Sequence, residues 1–72
     1  MLRQVFSARL KQIRKQKKIT QEGLAEVVGV STSTIQRWEY ADDAPAFDRI
    51  EVLARALNVR VRDLFDFGDT EI

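Results

Sequence analysis

Positions 21–40 constrain the fold of this chain more than any other stretch, because their apolar residues are spaced for two short helices. Leu24, Ala25 and Val28 recur at i, i+1 and i+4, which is one face of a short helix. Gly29 interrupts the pattern, and it accepts the positive φ of a tight turn without the steric penalty of a Cβ. The earlier of these two short helices is therefore predicted to end at this glycine.

A second helix is predicted to follow the turn. Ser31 is a favourable N-cap, and Ile35 and Trp38, three residues apart, face inward. The outward positions are Thr32, Ser33, Gln36, Arg37 and Tyr40. An exposed helix face that is polar, has short side chains and carries one Arg fits the major groove of DNA. We therefore interpret the two helices as a helix-turn-helix.

The composition limits the chemistry open to the chain. Its 72 residues suffice for one domain with one small core, and they include no Cys and no His. Disulfides, the usual zinc sites and His-based catalysis are therefore excluded, and we expect no metal site, no cofactor and no catalytic residue. The N-terminal segment has no long apolar run, so we expect neither a signal peptide nor a membrane span, and a cytoplasmic location.

Charge is divided unevenly between the two halves of the chain. Residues 1–36 hold seven Lys and Arg against two Glu, a balance of +5, whereas residues 37–72 hold five Arg against nine Asp and Glu, a balance of −4. Such a division can orient a protein on a polyanion although its net charge is only +1. A solvated basic helix face explains the same pattern, so both interpretations stay open.

Three more helices are predicted outside this motif. The first spans roughly residues 3–17, and the fourth runs from Ala46 to Asn58, a residue that tolerates a left-handed helix end. Its predicted inward residues are Phe47, Ile50, Leu53, Ala54 and Leu57, whereas the first helix is amphipathic through Phe6, Leu10 and Ile13. A short fifth helix is predicted from Val61, Leu64 and Phe65. No stretch alternates as a strand would, so the predicted fold is all-α.

The chain is predicted to form one domain over residues 1–67, followed by an acidic, flexible tail over residues 68–72. Its carboxylate pairs do not suggest an enzyme. They are Asp42 with Asp43 and Asp66 with Asp69. Carboxylate catalysis needs a cleft that separates two pKa values, whereas these pairs lie in turn-like or tail sequence open to water.

The chain carries three motifs whose combination is specific. They are RLKQIRKQKKITQ (9–21), LAEVVGVSTSTIQRWE (24–39) and ALNVRVRDLF (56–65). Together they resemble the lambda repressor/Cro family, also called the Xre family of bacterial and phage regulators, over roughly residues 6–65. The resemblance implies a compact five-helix DNA-binding domain, with the helix-turn-helix as helices 2 and 3, in a transcriptional regulator expected to be a repressor.

The same resemblance implies roles for particular residues. The base contacts it implies are Thr32, Ser33 and Arg37, with Gln36 on the same outward face. The phosphate contacts it implies are Thr20 and Gln21, at a helix N-terminus that favours an anion. Lys15 and Lys18 of the basic run are added as phosphate contacts, and Tyr40 is open between packing and DNA contact. Arg14 and Glu39 match a structural ion pair between the first and third helices.

Several positions depart from the family pattern. Lys18 stands where Gly is frequent, which predicts a side chain at positive φ. Gly23 replaces the Glu or Gln that would complete a capping box with Thr20, the predicted cap of the second helix, and Arg60 replaces the Ser or Thr that caps the fifth helix. The loop after the recognition helix offers Asp42 and Asp43 where phosphates would favour basic residues.

Two functions from different classes follow from these features. The first is a DNA-binding regulator that acts as a homodimer on two half-sites, because one recognition helix contacts too few base pairs. Its predicted contact surface lies near the loop before Phe47 and the fifth helix with its tail, including Val61, Phe65 and Phe67. The second is an antitoxin or anti-regulator that binds mainly another protein. The acidic loop and tail favour this second function, whereas the polar recognition face favours the first more.

Overall fold

The structure, a computed structural model, describes residues 2–66. Four α-helices and a 3-10 helix follow one another: α1, Leu2–Gln16; α2, Gln21–Val28; α3, Thr32–Glu39; α4, Phe47–Leu57; and the 3-10 helix, Val61–Phe65. No residue in this range lies in a strand, which confirms the all-α prediction. None of these helices combines the length and apolar composition needed to cross a membrane. Phe67 and the predicted tail, residues 68–72, lie outside the described residues.

The last element differs from the predicted fifth α-helix, because its five residues form a 3-10 helix. The Asp63 amide donates to the Arg60 carbonyl at 3.0 Å, which is the i→i+3 bond of that helix type. The Asp63 carboxylate accepts from the Arg60 amide at 2.9 Å, so the cap comes from inside the helix instead of from a Ser or Thr before it. This hydrogen bond is the main cause that lowers the pKa of Asp63 below its usual value.

The core is built from the apolar stripes of all the helices. α1 packs against α3 and the 3-10 helix, and α2 packs against α3 and α4. The buried apolar residues are Phe6, Leu10, Ile13, Leu24, Ala25, Val28, Ile35, Trp38, Ile50, Leu53, Ala54, Leu57 and Leu64. Ile35 and Trp38 among them confirm the predicted inward face of α3.

One predicted core residue lies at the surface instead. Phe47 is 89% exposed. It is the first residue of α4, whereas Ile50, one turn further into the helix, is buried. The prediction was wrong at this position because a helical stripe keeps its period beyond the point where a neighbouring helix covers it. Val61, which was predicted to offer apolar surface to a partner, is 40% exposed.

The four α-helices end in the same way, each followed by a residue in the left-handed conformation. These residues are Lys18 (φ 60°), Gly29 (φ 86°), Ala41 (φ 62°) and Asn58 (φ 58°). In each case the next amide donates to the carbonyl five positions earlier: Ile19 to Arg14, Val30 to Ala25, Asp42 to Arg37 and Val59 to Ala54. This is the bond of a Schellman ending. The predicted positive φ at Lys18, Gly29 and Asn58 is confirmed.

Candidate nucleic-acid interface

The outer face of α3 presents the side chains predicted to contact bases. Ser33, Gln36 and Arg37 are exposed, whereas Thr32 is half-buried. A polar surface of this kind, on a helix whose opposite face is fixed in the core, can enter a groove without rearranging the domain.

The N-terminus of α3 carries a cluster of hydroxyl groups. Ser31 Oγ accepts from the Thr34 amide at 3.2 Å and so caps the helix, as predicted. The same oxygen lies 3.1 Å from Ser33 Oγ and 2.9 Å from Thr34 Oγ1. Each hydroxyl can donate or accept, so the cluster can adapt to either kind of group on a base edge or a phosphate.

Arg37 lies one turn beyond Ser33 on the same face. Its Nη2 is 3.4 Å from Thr34 Oγ1, a long hydrogen bond that leaves most of the guanidinium donors exposed to solvent. A guanidinium in such a position has the paired donors that match O6 and N7 of guanine.

Gln36 is linked to a glutamine of α2. Gln36 Nε2 donates to Gln21 Oε1 at 3.4 Å, and Gln21 Nε2 donates to Glu39 Oε1 at 3.0 Å. The Gln21 side chain, which was predicted to bind phosphate, is thus engaged with α3 through both ends of its amide. Its backbone N–H lies in the first turn of α2, where amides have no partner inside the helix.

Thr20 caps α2 as predicted. Its Oγ1 accepts from the Gly23 amide at 2.9 Å, and the hydroxyl proton stays available to donate outward. A Cβ on Gly23 would lie 3.1 Å from this oxygen, a tight contact that a glycine avoids. Lys15 and Lys18, at the end of α1 and in the following turn, are exposed on the same chain segment.

The structure brings Arg14 of α1 and Glu39 of α3 together. Arg14 Nε lies 2.5 Å from Glu39 Oε2, and Arg14 Nη2 lies 3.2 Å from Oε1, so two parallel hydrogen bonds join the pair. Only 10% of the Arg14 side chain and 1% of the Glu39 side chain are exposed. Arg14 Nη1 also donates to the Ile19 carbonyl at 2.8 Å.

Several basic residues of the first half contact other parts of the protein. Arg3, Lys11 and Arg14 contact the C-terminal part of α3 or the residues after it, and Arg9 donates to a carbonyl of the 3-10 helix. The count of basic residues in the sequence therefore overstates the charge offered to a polyanion. The exposed lysines at the end of α1 supply most of it.

Tyr40 and the loop after α3 adjoin this face. Tyr40 is 67% exposed, and Lys11 Nζ lies 5.8 Å from its ring centroid, within cation–π range. The ring thus packs on α1 at one side while its other side faces solvent. Asp42 and Asp43 are exposed, and Asp43 Oδ1 accepts from the Ala44 amide at 2.8 Å.

Sequence reasoning missed Arg49 of α4. Its Nη1 donates to the Val28 carbonyl at 3.0 Å, at the end of α2 and next to the turn residue Gly29. A cation is favourable at a helix C-terminus. No local pattern could reveal this contact, because the two residues are 21 positions apart and meet only through the packing of α4 on α2.

Two capped helices joined by a left-handed glycine, with a polar outer face on the second, define a helix-turn-helix domain. The chain belongs to the helix-turn-helix family HTH_3, whose model matches residues 10–64.

Proteins similar to this chain include regulators and repressors. The HTH-type transcriptional regulator YobD of Bacillus subtilis is 37% identical over 65 residues, which are 90% of this chain and 58% of YobD. The restriction-modification controller protein C.AhdI of Aeromonas hydrophila is 32% identical, with a TM-score of 0.83 over 88% of this chain and 96% of C.AhdI. The P22 c2 repressor in complex with a synthetic operator is 30% identical, with a TM-score of 0.80 over 88% of this chain and 96% of the repressor. This chain therefore spans little more than half the length of YobD.

Proposed function

We propose that this protein is a sequence-specific DNA-binding transcriptional regulator that reads the major groove with α3. The observation that carries the proposal is the outer face of α3, which exposes Ser33, Gln36 and Arg37 while Ile35 and Trp38 hold the helix in the core. The likeness to the P22 c2 repressor, whose structure contains an operator, supports it. The protein would act where the DNA lies, which is the cytoplasm in a bacterial cell.

Base recognition is assigned to the side chains on this face. Arg37 donates two parallel hydrogen bonds to a guanine, and the Gln36 amide pairs with an adenine or stays tied to Gln21. Thr32 and Ser33, at the N-terminus of α3, contact the bases or phosphates that the helix meets first.

Phosphate contacts are assigned to the N-terminus of α2 and the end of α1. The Thr20 hydroxyl and the Gln21 amide bind one phosphate, and Lys15 and Lys18 add mobile charges beside it. Tyr40 contributes its hydroxyl from the far end of α3. Asp42 and Asp43 repel the DNA phosphates, so phosphate binding relies on the N-terminal half of the chain, at the end of α1 and the start of α2.

The protein is proposed to bind DNA as a homodimer, on half-sites one helical turn (about 34 Å) apart. The surface that supports this is a largely apolar groove between the start of α4 and the 3-10 helix, lined by Phe47, Ile50, Val61 and Phe65 together with the acidic residues Asp48 and Glu51. A second apolar groove, towards Leu2 and Pro45, lies on the other side of Phe47. An aromatic side chain that is 89% exposed between two apolar grooves suits a two-fold interface in which each Phe47 packs on the partner.

Repression is the proposed effect, because a dimer bound across a promoter excludes other proteins from it. A role as an antitoxin or anti-regulator is the second candidate. The exposed Phe47 and the acidic loop at Asp42 and Asp43 favour it, since both are also suited to a protein partner.

Selection of bound duplexes from a random DNA library tests the proposal. We expect an enriched site with two related half-sites, and affinity that falls steeply with salt because phosphate contacts release counterions. No enriched sequence, together with affinity that is flat in salt, would contradict DNA reading and leave the protein-binding role. A single unrepeated half-site at saturation would contradict the dimer alone.

A further inference from the structure

The end of α3 is held differently from the ends of the other α-helices. In α1, α2 and α4 the residue that donates the Schellman bond is apolar and packs on the core. These residues are Ile19, Val30 and Val59. After α3 the corresponding residue is Asp42, which is exposed. α3 therefore lacks the apolar contact that usually accompanies this kind of ending.

A second backbone hydrogen bond of this kind of helix ending is also replaced after α3, by a side-chain hydrogen bond. After α1 and α4, the left-handed residue itself donates to the carbonyl three positions earlier. These bonds join Lys18 to Lys15 (3.0 Å) and Asn58 to Arg55 (3.1 Å). The equivalent acceptor in α3 is the Trp38 carbonyl, which accepts a hydrogen bond from the Ser7 hydroxyl of α1 instead. Within residues 2–66, the Ala41 amide donates to no backbone carbonyl.

Ser7 lies at the centre of a polar stripe on α1 that meets the end of α3. It is 3% exposed, so its hydrogen bond is shielded from water. One turn before it, Arg3 Nη1 lies 3.5 Å from the Ala41 carbonyl oxygen. One turn after it, Lys11 Nζ lies over the Tyr40 ring. α1 thus supplies from outside the contacts that the end of α3 lacks.

We propose that Ser7 is a positioning residue for DNA recognition, because its hydroxyl fixes the C-terminal end of α3 and so the direction of that helix. The proposal rests on the proposed function. Arg37 directly precedes Trp38, and hydrogen bonds to base edges tolerate only small displacements. Contacts of lysine side chains with phosphates tolerate larger displacements. Loss of the Ser7 bond should therefore reduce sequence discrimination more than overall affinity for DNA.

The test compares affinity for a duplex selected by the wild type with affinity for a random-sequence duplex of equal length. Ser7→Ala should lower the ratio of the two affinities about tenfold, the value of one good base contact, and change binding to random DNA less than about twofold. Ala41→Gly in the same chain should restore part of the ratio, because glycine adopts the left-handed conformation of residue 41 without the Cβ penalty of Ala41 and so stabilises this end of α3 without Ser7. Asn58→Gly is the matched control at the end of α4 and should not restore it.

Several results would overturn the proposal. One is a Ser7→Ala protein that keeps the wild-type ratio, and another is equal behaviour of the two double variants. Where Ser7→Ala does not fold, amide hydrogen exchange of the wild-type protein is the deciding measurement. If the Asp42 amide exchanges over 100-fold faster than the amides of Ile19 and Val59, α1 does not hold the C-terminal end of α3, and the proposal is overturned. A wild type that selects no duplex fails before Ser7 is altered, and it overturns the proposed function together with this inference.

Discussion

Removal of the Glu39 carboxylate is predicted to destabilise the fold strongly. The carboxylate accepts two hydrogen bonds from Arg14 and one from Gln21 Nε2, and its side chain is 1% exposed. In Glu39→Ala the Arg14 guanidinium stays in place with one remaining bond, to the Ile19 carbonyl. The variant therefore leaves a largely buried cation without its counterion.

The magnitude follows from this geometry. Breaking a buried ion pair by removing one partner costs about 3–5 kcal/mol. Arg14 keeps 10% of its side chain in water and one carbonyl partner, so we expect roughly 2–4 kcal/mol. A domain of this size loses about 4–8 °C per kcal/mol, which gives a fall in Tm of roughly 8–32 °C.

Thermal unfolding followed by circular dichroism measures the effect. Arg60→Ala is the control, because the Arg60–Asp63 pair is 3.7 Å apart with side chains 69% and 28% exposed, and such pairs contribute about 0–1 kcal/mol. Replacing both buried partners, as in Arg14→Met with Glu39→Leu, should melt above Glu39→Ala, since no unpaired charge is left. A Glu39→Ala protein that melts within about 4 °C of the wild type would refute a desolvated pair.

Three other substitutions should change stability or self-association in a direction that the structure predicts. Ala41→Gly should raise stability by about 0.5–1 kcal/mol in urea denaturation because it relieves a left-handed alanine, whereas Ala8→Gly inside α1 should lower it by a similar amount. The Arg60 amide lowers the pKa of Asp63, so the ionised carboxylate stabilises the fold at pH values above its ordinary pKa, and this stabilisation is lost as pH falls through the lower folded-state pKa. Asp63→Asn should therefore flatten the loss of stability measured below about pH 4. Phe47→Ser should leave Tm nearly unchanged but weaken self-association in sedimentation, and unchanged self-association would contradict the proposed dimer surface.

Local rules predicted the helices and their ends well. The Thr20 and Ser31 caps and the left-handed Gly29 depend on a few neighbouring residues, so the sequence contains all the information they need. The 3-10 form of the last helix was not predicted, because five residues with an internal Asp63 cap satisfy either periodicity.

Contacts between distant positions were the part that the sequence could not supply. Arg9 donates to a carbonyl 54 positions away, and Arg3 to one 38 positions away, so neither is recognisable as structural from charge alone. Ser7 gives no signal at all in the sequence, since a serine on a helix is usually solvated. Only the crossing of α1 over the end of α3 places its hydroxyl on the Trp38 carbonyl.

The most direct test of base reading by α3 is the affinity of Arg37→Ala across a panel of single-base variants of the selected site, at two salt concentrations. A bidentate contact discriminates by about 1–3 kcal/mol, so the variant should lose preference at one base pair in each half-site and keep its binding to random DNA. Lys15→Ala is the matched comparison, and it should weaken all sequences alike and reduce the salt slope by up to about one. If Arg37→Ala instead weakens every sequence equally, Arg37 binds a phosphate and its assignment to a base is contradicted.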